Sequence, residues 1–164
     1  MKTIETTIDI HAPASAVWAT LVDFDAYPEW NSFVTRISGT PTEGERLEVR
    51  LDPPGSREMT FKPRVTAATP NEHLEWLGRL FVPGLLDGRH EFRLEALGEN
   101  RTRLHHGESF SGLLVGLVLD VDGTRRGFEA MNEALSSAPR RRGTTPTSAS
   151  TPRRSLARAR IATA

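Results

Sequence analysis

Residues 1–31, MKTIETTIDIHAPASAVWATLVDFDAYPEWN, change hydrophobic period once, and that change decides the fold. Over residues 2–10, Ile4, Thr6, Ile8 and Ile10 alternate with Thr3, Glu5, Thr7 and Asp9, the two-residue period of a half-buried strand. At Pro13 the period lengthens. Proline suits the first turn of a helix, and Val17, Trp18, Leu21 and Val22 follow at helical spacing to about Phe24. The stretch from Asp25 to Asn31, with a turn-forming Asp, a Pro and two aromatics, reads as a one-turn helical corner that leads into a second strand at 33–39.

Working outward, turn chemistry at 41–45, 52–56, 69–72, 83–88 and 98–100 divides the middle of the chain into an antiparallel meander. The spacing predicts strands at 46–51, 59–67, 74–81, 89–97 and 102–110, which makes seven in all. Parity puts Leu47, Val49, Leu51, Met59, Phe61, Val65, Leu74, Trp76, Leu80, Phe92, Leu94 and Leu104 on one apolar face. Arg46, Glu48, Arg50, Arg89, Glu91, Arg93 and Glu95 take the other, so one side of the sheet is wet. Beyond Phe110 the stretch GLLVGLVLDVDGTRRGFEAMNEAL predicts a helix or a broken pair, with Gly123 as the break; Phe128, Met131, Asn132 and Leu135 share its inward stripe.

The 164 residues suit one domain with an appendage. Residues 139–164 hold 7 Arg, no acid and almost no bulky apolar side chain, so they are expected to be a disordered Arg/Ser/Thr/Pro-rich tail following a domain at 1–138. That leaves 14 basic against 21 acidic residues in the body, a net charge of −7, which argues against specific nucleic-acid binding by the body. No apolar run is long enough to insert stably in a membrane, and the alternating start does not read as a signal peptide. With no Cys, disulfides, thiolate metal sites and Cys nucleophiles are excluded, in keeping with a cytoplasmic address.

A strand, a helical corner, further antiparallel strands and a long last helix predict an α+β fold, not an α/β dinucleotide fold with alternating crossover helices. The order of IDIHAPASAVWATLVDFDAYPEWNSFV, WLGRLFVPGLLDGRHEF and GFEAMNEAL resembles the START-like, or SRPBCC, superfamily, and more narrowly its bacterial polyketide cyclase/dehydrase branch. The resemblance implies a helix-grip fold, a curved sheet of six or seven strands wrapped around the C-terminal helix. It also implies a cavity between the two that holds lipids, sterols, polyketides or plant hormones in different members.

Parity places Leu104, His106, Glu108 and Phe110 on one side of the last strand, and His90 on the same side as Phe92 and Leu94. The resulting inward polar cluster has three readings. It is an acid–base pair in which Glu108 orients His106, a passive contact for a ligand oxygen, or a self-satisfied buried group. His105 and His106 are adjacent on a strand and face opposite ways, and no HExxH spacing occurs, so no metal site is expected. Trp76 either fills core volume or walls a pocket, and Asn132 either caps a backbone group or meets the ligand. Two apolar segments, 81–88 and 113–119, are candidate lids or simply close one end of the sheet.

The leading expectation is a cofactor-free protein that binds a small hydrophobic or aromatic ligand, as a monomer or a homodimer. Met59, Phe61, Trp76, Phe92, Leu94 and Phe128 would wall the cavity, with polar contacts from His90, His106 and Asn132. The alternatives are a cyclase or dehydratase acting on a poly-β-ketone, with His106 as base and Glu108 behind it, and an interaction module with a filled core.

Overall fold

The computed structural model describes residues 1–52, 57–80 and 82–140. Residues 53–56 of the expected turn, Phe81 of the expected apolar segment and 141–164 of the expected tail lie outside the described residues. The chain opens with β1 (Lys2–Ile10), α1 (Ala14–Val22), a single 3-10 turn and α2 (Tyr27–Trp30), so the helical corner follows α1 as its aromatic and proline content predicts. The corner is held by Tyr27, fully buried, whose hydroxyl donates to the Leu21 carbonyl at 2.7 Å.

The strands that follow are β2 (Val34–Ser38), β3 (Glu48–Leu51), β4 (Met59–Phe61), β5 (Arg64–Thr69), β6 (His73–Leu80), β7 (Leu86–Gly98) and β8 (Arg101–Ser111). Among the described residues all pairings are antiparallel, in the orders β1-β8-β7-β6-β5 and β2-β3-β4. The single strand expected at 59–67 is therefore two, parted at Lys62–Pro63, because proline has no N–H to give to a ladder. Its carbonyl still accepts from Leu47 N at 2.9 Å. Register is unbroken across the proline, since Val49 faces Phe61 and Arg46 faces Arg64, so this hairpin joins the two sets of strands into one curved surface.

Two further boundaries differ from expectation. Leu86–Gly88, read as loop, extends β7 and pairs with Gly78–Leu80, because a tight turn at Val82–Leu85 suffices to reverse the chain. The last helix breaks at Leu119–Asp120, between α3 (Val115–Val118) and α4 (Val121–Ser137), and not at Gly123. Asp120 caps α4 by accepting from Gly123 N at 3.0 Å, and a Cβ on Gly123 would lie 2.2 Å from Asp120 Oδ2. Gly123 belongs to the cap of the helix it was expected to break.

The fold is α+β, a curved antiparallel sheet that grips α4. Phe128, Met131, Asn132 and Leu135 are buried on one stripe of α4 against Ile4, Leu74, Trp76, Phe92 and Leu104 of the sheet. At the far end Arg140, on the tail side of the expected boundary, folds back onto the helix and donates to the carbonyls of Leu135 at 2.9 Å and Ser136 at 3.4 Å. Among the described residues no helix is long and apolar enough to cross a membrane.

Candidate functional site

Strand register builds the site. Trp76 on β6, His90 on β7 and Glu108 on β8 are successive partners across the sheet, forming one row on its concave face. Leu74, Phe92, His106 and Thr6 form the adjacent row. Gly78 and Gly88 face each other in the row on the other side, next to Phe110. Two opposed glycines leave room where side chains would meet, and Glu108 uses it. A Cβ on Gly88 would stand 2.3 Å from Glu108 Oε1.

The polar side chains form one continuous chain of contacts. His90 Nδ1 lies 3.2 Å from Glu108 Oε2, and His90 Nε2 lies 2.9 Å from His106 Nε2. His106 Nδ1 is 2.7 Å from Asn132 Oδ1. Asn132 Nδ2 donates to Thr6 Oγ1 at 2.9 Å, and the Thr6 hydroxyl donates to the His106 carbonyl at 3.0 Å. The parity reading thus holds for the strands but mispairs the carboxylate. Glu108 orients His90, and Asn132 orients His106. Side chains two apart on one strand are separated by roughly 7 Å, whereas cross-strand partners stand about 5 Å apart, so Glu108 meets the imidazole opposite it on β7.

The rings around the cluster are close. His90 stacks on Trp76 with centroids 4.9 Å apart and planes at 13°, and His106 stacks on Phe128 at 4.2 Å and 23°. Burial, first, and the neighbouring His90, second, hold His106 protonation well below the usual imidazole range; the hydrogen bond to Asn132 only partly offsets them. His105, of opposite parity, stands at the surface 3.3 Å from Glu95. Among the described residues no three His, Asp or Glu side chains converge as a metal site.

Beside this cluster lies a cavity of about 310 Å³ between the sheet and α4. Of the residues expected to wall it, Met59, Phe61, Trp76, His90 and Phe128 do, as does Glu108. Phe92, Leu94, His106 and Asn132 are buried but stand away from the wall; the rings of Phe92 and His106 pack behind those of His90 and Phe128. The rest of the wall comes from Phe33, Val49, Leu51, Leu86, Phe110 and Leu119, among others, with Arg79 at the mouth. Gly78 and Gly88 were not picked out from the sequence; a glycine at an inward strand position on each of two facing strands was the available signal. The Trp76 Nε1–H has no hydrogen-bond partner among the described residues, although the side chain is only 1% exposed.

The two apolar segments lean on each other at one end of this cavity. Leu113 N and Leu114 N donate to the Gly84 and Leu85 carbonyls at 3.2 and 3.0 Å. Leu86 and Leu119 face the cavity from them, while Val82, Leu113 and Leu117 are exposed.

The family described as polyketide cyclase/dehydrase and lipid transport matches residues 1–140. The chain belongs to that family. No curated protein matches it. Among solved structures it is similar to a START superfamily protein from Mycobacterium smegmatis, with TM-score 0.66 and 19% identity over 82% of this chain and 94% of that one. It is also similar to the Zhui aromatase/cyclase from a Streptomyces species, with TM-score 0.57 and 24% identity over 82% and 86%. A third is norcoclaurine synthase from Thalictrum flavum, solved with dopamine and hydroxybenzaldehyde, at 0.62 and 13% over 82% and 84%. At these identities the likeness is one of fold, and the START-like helix-grip architecture is common to them.

Proposed function

We propose that this member of the polyketide cyclase/dehydrase and lipid transport family binds a small apolar or aromatic molecule bearing oxygen substituents in the cavity between the sheet and α4. One observation carries the reading: a cavity of about 310 Å³ walled mainly by aromatic and aliphatic side chains, with Trp76, His90 and Glu108 among its lining. Its size and mixed lining are those of small-molecule sites, and open space of this size weighs against a filled-core interaction module. The aromatic, oxygenated molecules named with norcoclaurine synthase point the same way. The cysteine-free composition supports a cytoplasmic address.

A second reading, a cyclase or dehydratase, is favoured by the carboxyl–imidazole pair at the cavity wall, with Glu108 and His90 as the acid–base pair in place of His106. Native mass spectrometry of the purified chain tests both. A retained small molecule, absent from Gly78→Val, whose Cβ would press the Phe61 ring into the cavity, supports binding. Conversion of an added poly-β-ketone to a product of lower mass supports catalysis. If no molecule is retained, no apolar fluorescent probe is taken up and the poly-β-ketone is not converted, both readings are overturned.

A further inference from the structure

Donor and acceptor roles along the buried chain are forced, starting from β1. A carbonyl only accepts, so the Thr6 hydroxyl spends its hydrogen on His106 O. Thr6 Oγ1 is then an acceptor toward Asn132, which turns the Asn132 amide nitrogen to Thr6 and its oxygen to His106. An amide oxygen requires His106 Nδ1 to carry a hydrogen, and in the neutral ring that leaves Nε2 as a lone pair. His90 Nε2, 2.9 Å away, must therefore be N–H. His90 Nδ1 faces Glu108 Oε2 at 3.2 Å, and a bare nitrogen opposite a carboxylate would set two lone pairs against each other. One further hydrogen has to lie between them.

We propose that Glu108, His90 and His106 together retain one proton beyond two neutral imidazoles and a carboxylate, and that Thr6 and Asn132 are the positioning residues that impose it. The proton resides on His90 as an imidazolium or on Glu108 as a neutral acid. The one remaining arrangement, with His106 charged, would bury a cation at a ring 1% exposed between Phe92 and Phe128. The groups facing His90 agree with a shared proton. Trp76 on β6 stacks against its face, where a cation is favoured; Phe92 on β7 and Phe128 on α4 are apolar; Glu108 and His106 on β8 are its titratable neighbours. Among the described residues the other charged groups on the cavity wall are Arg79 at the mouth and Asp120, which is engaged with Gly123 N. A cationic His90 is also a cause of the lowered protonation of His106. Resting on the ligand-binding reading above, the unit's zero net charge suits a neutral phenol, ketone or acid oxygen and not an ammonium group, which a bare Glu108 carboxylate would attract.

Nitrogen-15 spectra of histidine-labelled apo protein at pH 7, with Glu108 carboxyl carbon-13 labelling, test this without a ligand. The expected result is His106 as the Nδ1–H tautomer and either a doubly protonated His90 or a protonated Glu108. Thr6→Val removes the hydroxyl but keeps a β-branched residue on the strand. It frees the Asn132 amide to turn, so His106 should invert to Nε2–H, His90 should donate from Nδ1, and the extra proton should leave at lower pH. Thr6→Ser restores the wild-type spectrum. Two neutral rings beside an ionised Glu108 in the wild type, or a Thr6→Val spectrum identical to it, overturns the proposal. A protein that shows the proton but takes up no ligand retains this inference and loses the functional reading.

Discussion

The imidazole of His90 lies flat on the indole of Trp76, 4.9 Å between centroids and 13° between planes, and the two are direct partners across β6 and β7. The stack fixes the indole at the cavity wall with its N–H unspent.

Trp76→Phe keeps an aromatic wall and deletes that donor. Oxygen-bearing ligands should bind about 2- to 10-fold more weakly, the worth of one neutral hydrogen bond. A hydrocarbon probe of the same size should bind as before. Titration calorimetry with matched probes decides it, and an equal loss for both would assign Trp76 to packing alone.

Gly88→Ala should displace the Glu108 carboxylate, since the added Cβ would lie 2.3 Å from Oε1. Glu108 is a terminal, partly exposed group, so the fold should survive, with a melting temperature within a few degrees of the parent. His90 should lose its carboxyl partner, visible as a displaced His90 ring resonance in the proton NMR spectrum. An unchanged His90 ring resonance would show that the carboxyl keeps its contact with the imidazole.

His106→Ala and His105→Ala separate the two faces of β8. The first leaves His90 Nε2 and Asn132 Oδ1 without their partner in the core, at about 1–3 kcal/mol for each unsatisfied group. The second removes a surface contact to Glu95 and should fall within about 0.5 kcal/mol of the parent. Urea unfolding measures both, and equal effects would contradict the register given above.

Stability should fall on acidification in two windows. In the unfolded chain His106 titrates near its usual 6.5 but in the fold only well below it, so the unfolded state binds more protons between the two and stability drops as pH falls below about 6.5. The slope reaches at most about 1.4 kcal/mol per pH unit. Asp9, held by hydrogen bonds from Arg103 and Arg101, is lowered from 3.8 to about 2, so its contribution is present above 3.8 and lost toward 2. Asp9→Asn should abolish the lower window and leave the upper one, as read from melting temperature against pH.

Truncation after Arg140 should leave the melting temperature unchanged, because residues 141–164 offer only Leu156 and Ile161 as bulky apolar side chains to bury. Arg140→Ala in the full chain should lower stability by roughly 0.5–1 kcal/mol, as expected for a cation satisfying helix C-terminal carbonyls.

Residues 1–31 announce a strand, a helix and a corner through local period and turn chemistry, and the i, i+3, i+4, i+7 stripe of Phe128, Met131, Asn132 and Leu135 announces the gripped helix. Both signals are short-range, and both stand in the fold. Parity also separates His106 from His105 without any tertiary knowledge, because alternation is a property of a single strand. The pairing of Glu108 with His90 is not such a property. It depends on the β7–β8 register, which a bulge between Ala96 and Gly98 adjusts near the hairpin turn, and a shift of one residue would exchange the inward and outward faces. The tautomer of His106 depends on Thr6, 100 residues away in sequence and directly opposite it on β1. The cavity owes its space to Gly78 and Gly88 meeting across β6 and β7, and its polar end to a carboxylate lying where a Cβ would have been. Local pattern therefore determined which residues turn inward, and only the assembled sheet decided which of them touch, since contact across strands is set by register and not by spacing along the chain.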